Sequence, residues 1–211
     1  MARPFGDLQR FVVTQKPRSL SNVTDYEMTS ADGAALGSIV EVGDSDLDKL
    51  LHPLESRKPS VDGQPDWLVK GFEVRSAAAA DAVQLRITRI KRAKKTVIVS
   101  SPSGEEVGRI LQENLMGKAH IALQVGDTKV GEIKELGSSF RRGLSSKPQG
   151  FSISGAGGEP LANLSVTMLG NVHLDIQRYE LEVVAEVADD ALWSLLVATP
   201  LAVDQALFEG S

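Results

Sequence analysis

The chain contains no cysteine. This removes disulfides, a thiolate nucleophile and cysteine-ligated metal centres together, and it fits a reducing compartment. Histidine is nearly as scarce: His52, His120 and His173 are scattered with no ligand spacing between them, so neither a metal nor a cofactor is expected. The opening stretch MARPFGDLQRF lacks the apolar run of about 7 to 15 residues that marks a secretory signal, so the protein reads as cytoplasmic. Catalytic motifs are missing too. No serine sits in a nucleophile elbow, and Gly155-Ala156-Gly157-Gly158 runs into Glu159-Pro160 instead of a helix bearing Lys and Ser, which makes it a hairpin turn and not a phosphate loop. Glu180, Glu182 and Glu186 line the wet face of one strand, with nothing to suggest the desolvated pocket that carboxylate catalysis needs. No catalytic residue is assigned, and a non-enzymatic protein is expected. A net charge of −5 argues against general nucleic-acid binding.

What the chain does have is patterning. Apolar residues are 42% and charged residues 24% of 211, a composition that supports one soluble β domain of ordinary size, expected as a monomer. Asp189 to Leu207 reads DDALWSLLVATPLAVDQAL, with apolar residues on every side of a helical wheel. Such a helix has no face for water. It is shorter than the roughly 20 apolar residues of a comfortable bilayer span and carries Asp204, so it should be enclosed by protein. Strands can enclose a helix only by closing around it as a barrel. Asp189 or Asp190 caps the helix, and Pro200 predicts a kink, at about 3 kcal/mol if uncompensated. Burying Leu192, Trp193, Leu195, Leu196, Val197, Leu201, Val203 and Leu207, each worth about 1.5 to 3 kcal/mol, outweighs it.

The strands arrive as a repeated phrase. Tyr26 to Val42 is a strand, a turn with Asp32-Gly33, and a return opening Leu36-Gly37-Ser38-Ile39. Thr96 to Gln112 repeats it around Gly104, with Val107-Gly108-Arg109-Ile110. Ile121 to Lys134 repeats it around Gly126-Asp127, with Val130-Gly131-Glu132-Ile133. Phe151 to Met168 gives a weaker copy with Leu161-Ala162-Asn163-Leu164, and Phe72 to Ile90 a degenerate one. The phrase glycine shares a strand face with the isoleucine two residues on, so either the helix comes close there or the glycine only marks a bulge. Residues 1–9 read as a flexible leader, Arg10 to Gln15 as a first strand, and 43–66 as a loop insertion. Tyr179, Leu181 and Val183 point inward on the last strand before a central helix at 190–208.

These residues resemble the phospholipid scramblase and LURP-one-related family, which shares the tubby C-terminal fold. Tyr26-Glu27-Met28 with Asp32-Gly33 and Leu36-Gly37 is similar to its opening hairpin, Val97 to Gln112 and Leu123 to Ile133 to its middle ones, and Ala202-Val203-Asp204 to its closing helix. Over residues 10 to 208 the resemblance implies a mainly β fold, a twelve-stranded closed β-barrel around a buried C-terminal α-helix. It also implies binding of phosphoinositide-type headgroups by basic residues of the outer face. Membrane-acting scramblases carry a proline-rich leader, a cysteine-rich stretch and an acidic calcium segment, whereas only Asp189 and Asp190 precede this helix. Binding is therefore expected in place of scrambling.

The strongest local signal for a ligand is Arg86, Arg89, Lys91, Arg92, Lys94 and Lys95, six cations within ten residues of an acidic protein. Near an anionic membrane each is worth about 1 kcal/mol, so an anionic lipid surface, held peripherally, is the expected partner. A solvated strand end and turn is the plain alternative. Arg141 and Arg142, with Lys147 in a Gly/Ser-rich loop, form a second group. Asp44, Asp46, Asp48 and Glu55 match some positions of a calcium loop, but Lys49 stands at the sharp-turn glycine and Pro53 interrupts the following helix, so a helix N-terminus explains them better. The rival expectation is a protein partner held by an outer strand edge or by the 43–66 loop.

Overall fold

The computed structural model of the protein describes residues 3–6, 8–16, 25–42, 69–78, 82–90, 95–114, 117–137, 149–169 and 176–207. Twelve antiparallel strands close into a barrel: β1 (Arg10–Gln15), β2 (Tyr26–Ser30), β3 (Ala35–Val42), β4 (Val69–Ser76), β5 (Ala82–Ile90), β6 (Thr96–Ser100), β7 (Glu106–Gln112), β8 (His120–Val125), β9 (Thr128–Glu135), β10 (Gln149–Gly155), β11 (Pro160–Leu169) and β12 (Ile176–Val183). Every strand pairs with its sequence neighbours, and β1 closes the ring on β12, from Arg10 opposite Glu182 to Thr14 opposite Arg178. Among the described strands closure leaves every edge paired. The insertion at 43–66, with Asp44, Asp46, Asp48 and Glu55, lies outside the described residues.

Up-and-down order gives the barrel two unlike ends. At one, β2–β3, β6–β7, β8–β9 and β10–β11 are joined by short turns. At the other lie the longest stretches between strands, those between Val42 and Val69 and between Glu135 and Gln149, together with the five residues between Ile90 and Thr96. The short turns are built alike. In three of them Gly33, Gly104 and Gly158 adopt φ of 87°, 90° and 85°, and each donates its N–H three residues back, to Ser30, Ser101 and Gly155 at 3.0, 2.9 and 3.0 Å. This is a type I turn closed by a left-handed residue, which glycine adopts without steric penalty.

The repeated phrase is a bulge. Register slips by one residue between Met28 and Thr29, Val74 and Arg75, Val99 and Ser100, Leu123 and Gln124, and Ile153 and Ser154. The extra residue falls in the returning strand just before Gly37, Leu85, Gly108, Gly131 and Ala162. A bulge at the same place in each hairpin adds the local twist that rolls a sheet into a barrel. The glycine is required mainly by the neighbouring strand: a Cβ on Gly37 would stand 1.9 Å from the Arg75 carbonyl oxygen, and one on Gly131 2.6 Å from that of Ser154. Only at Gly108 does the helix contribute, through the Leu195 side chain at 3.2 Å, behind the Gln124 carbonyl at 2.5 Å. The expectation that the helix demands these glycines thus holds in part at one of them.

Helix α1 (Asp190–Leu207) fills the ring, packing chiefly on β7 and also on β5, β6, β8 and β12. Asp189 caps it, its carboxylate accepting the Leu192 N–H at 2.7 Å. Buried residues run without interruption from Trp193 to Gln205 and include Pro200, through which the helix continues. Its hidden hydroxyls turn back on the helix: Ser194 donates to the Asp190 carbonyl at 2.8 Å and Thr199 to that of Leu195 at 2.9 Å. Around it Tyr26, Met28, Ile39, Phe72, Leu85 and Tyr179 are fully buried. The expected leader is not loose over its described part: Pro4 is buried, and Phe5 and Leu8 pack against the core. No helix among the described residues is long and apolar enough to cross a membrane.

Candidate functional site

Of the six clustered cations, Arg86, Arg89 and Lys95 lie among the described residues, and they do not form one surface. Arg86 is on the outer face, opposite Glu73 of β4. Its Nε donates to the Pro102 carbonyl at 3.0 Å, and a terminal nitrogen lies 3.4 Å from Glu73, which also takes Arg75 at 2.8 Å. Arg89 is three residues on and therefore faces inward, in register with Lys70 and the buried Val97. It is only 5% exposed. Lys95 ends the β6–β7 ladder: its peptide N–H meets the Gln112 side-chain oxygen at 3.4 Å, and its carbonyl accepts the Gln112 N–H at 3.0 Å.

Arg89 belongs to a wider inner arrangement. Continuing the inward face past the last apolar residue of several strands reaches a polar one: Gln15 after Val13, Lys70 before Phe72, Glu135 after Ile133, Gln149 before Phe151, and Gln177 before Tyr179. These positions all lie at the end of long connections, where α1 finishes. Lys70 pairs with Glu41 at 3.3 Å, and the buried Glu135 accepts the Ala119 N–H at 2.8 Å and the Gln149 side-chain amide at 2.5 Å. The interior is thus apolar near the short turns and polar around the helix C-terminus. Cations there suit the carbonyl-rich, partially negative helix end.

Lys91, Arg92, Lys94, Arg141 and Arg142 lie outside the described residues. The strand ends that bracket them are described: Ile90 and Lys95 on one side, Glu135 and Gln149 on the other, all at the end of long connections. The charged residues of the short turns are, among the described residues, the exposed acids Asp32, Glu105, Asp127 and Glu159, followed by Glu186 and Asp189 ahead of the helix.

No family model, curated protein or solved structure matches this chain.

The densest charge cluster was not suggested by the sequence. On the outer face of β8 and β9, the two ring nitrogens of His120 lie 3.2 Å from Glu113 and 2.9 Å from Glu132. Lys129 reaches the same two carboxylates at 3.4 and 3.1 Å, and Lys134 pairs with Glu132. Hydrogen bonds from Lys134, then His120 and Lys129, hold the Glu132 carboxyl down at about 2. Reading His120 as isolated missed this, because its partners come from cross-strand register, His120 opposite Lys134 and Ala122 opposite Glu132. The lysines occupy the carboxylate oxygens, and no group of three metal-binding side chains occurs among the described residues. Chemically this is a salt-bridge network that ties Glu113 to the sheet.

Proposed function

We propose that this barrel is a scramblase-like, LURP-one-related domain without covalent chemistry, docking peripherally on anionic phospholipid headgroups through its basic segments at residues 91–95 and 141–147. The reading is supported by one observation above others: the strands bracketing both segments open at the same end of the barrel. Cations gathered at one end of an acidic protein would turn that end toward an anionic surface. Leu136 and Leu169, two of the exposed large apolar side chains, stand at that same end, where they can enter the headgroup boundary.

Arg86 and Arg89 take different parts from the other cations. Arg86 is engaged by Glu73 and Pro102, and Arg89 faces the interior, so neither offers an open guanidinium to a lipid surface. Flotation with vesicles of neutral phosphatidylcholine, with and without 5 to 10% phosphoinositide (roughly the anionic content that polybasic segments sense), tests the reading. The expected result is recovery with anionic vesicles only, lost when Lys91, Arg92, Lys94, Arg141 and Arg142 are changed to Glu. Equal recovery with both vesicles, or binding unchanged in that variant, overturns it in favour of a protein partner.

A further inference from the structure

The chain ahead of β1 leaves the sheet. The ladder begins at Gln9, whose carbonyl accepts the Val183 N–H at 2.7 Å, and at Arg10, which pairs with Glu180. Before them the described residues cross to the start of α1, and their contacts converge on one side chain. The Trp193 indole N–H donates to the Pro4 carbonyl at 2.8 Å, and the Arg3 guanidinium carbon lies 4.2 Å from the centre of the Trp193 ring. Phe5 and Leu8 add apolar contact at the margin of the core. Trp193 is 2% exposed.

The backbone of this segment is under tension. Phe5 has φ of +59°, and Gly6 follows at +63°. Among the described residues Phe5 is the one non-glycine in the left-handed region, and an aromatic residue stays there only where its surroundings hold it. The local closure is a single 3.3 Å bond from the Gly6 N–H to the Arg3 carbonyl. The barrel itself is closed by β1 and β12 without help from these residues. A strained segment whose polar contacts converge on one tryptophan, next to a ladder that is complete without it, can come away first.

We propose that Arg3, Pro4, Phe5, Gly6 and Leu8 belong to a strap that opens as a unit, hinged at Gln9 and Arg10, while the barrel stays closed, and that opening uncovers Trp193 at the end of the barrel where the helix begins. The strap lies at the end of short turns, so this device is independent of the lipid reading and stands or falls separately.

Hydrogen exchange of the Trp193 indole N–H, followed by NMR on the full chain, tests it directly. The resonance is assigned as the indole that persists in Trp67→Phe. Exchange at least about 10-fold faster than the slowest amides of β10 to β12 is expected, since those report opening of the whole fold. Gly6→Ala sharpens the test. A Cβ there meets nothing within 4 Å, so the change acts only by placing a side chain in the left-handed region. It should speed the indole exchange about 5-fold or more, with the slow amides unchanged, and Arg3→Ala should act in the same direction. The proposal is overturned if the indole exchanges only as fast as the slowest amides, if neither substitution alters its rate, or if both accelerate the indole and the amides together.

Discussion

Asp204 is the residue on which the inside of the barrel turns. Its side chain is 1% exposed, yet it accepts hydrogen bonds from the Tyr26 hydroxyl at 2.5 Å, from the Tyr179 hydroxyl, and from the Gln205 side-chain amide at 3.1 Å. A buried carboxylate is tolerable only when its oxygens are satisfied in this way. The bonds also set the rotation of the helix, since Tyr26 and Tyr179 stand on strands flanking β1. Asp204→Ala removes the acceptor that the buried Tyr26 and Tyr179 hydroxyls share. A loss of about 2 to 4 kcal/mol in urea unfolding is expected from such groups. In a Tyr26→Phe, Tyr179→Phe background the same change should cost much less, because the two hydroxyls that use this acceptor are already gone. Equal costs in the two backgrounds would mean that the three side chains do not act together. At the same scale, the spacing of Arg86 and Arg89 already tells them apart: three residues along a strand reverses the face, so one meets Glu73 outside and the other lies within.

Among elements, the β8–β9 hairpin concentrates the charge and makes a pH prediction. The Glu132 carboxyl sits at about 2 when folded against an ordinary value of 4.5, so the folded state favours its ionised form. Its contribution is complete above about pH 4.5 and is lost as pH falls toward 2. Urea midpoints for Glu132→Gln should therefore fall less steeply between pH 5 and pH 2.5 than those of the unaltered protein. Because the pairs are partly solvated, 1 M salt should narrow the difference. Parallel curves for the two proteins would show that the network contributes nothing to folding. The hairpins also explain the repeated phrase. Its position in the chain was plain from Gly37, Gly108 and Gly131, but its cause was not. That cause is an adjacent carbonyl, from Arg75, Gln124 or Ser154, and adjacency of that kind is created by pairing.

For the whole molecule, the helix is the interior, so removing it should leave no fold. Truncation before Asp190 takes away Trp193, Leu195, Leu196, Val197, Leu201 and Val203 and exposes the inner faces of the strands it packs against. Loss of cooperative melting and of solubility is expected. A truncated chain that melted cooperatively would show that the strands form a core without it. Much of this architecture is local in origin. Apolar residues all round residues 190–207, alternation in Tyr179, Leu181 and Val183, and turn glycines between strands are properties of neighbouring residues, so the sequence by itself determined that a β enclosure surrounds a greasy helix. The polar inner ends at Gln15, Lys70, Glu135 and Gln149 were within reach of the same reasoning, by carrying the alternation two residues further. What joins His120 to Glu113 and Glu132, Asp204 to two tyrosines and Pro4 to Trp193 could only be decided by tertiary structure. Those partners lie far apart in the chain or across a strand pair, and the register that brings them together is imposed when twelve strands close on one helix.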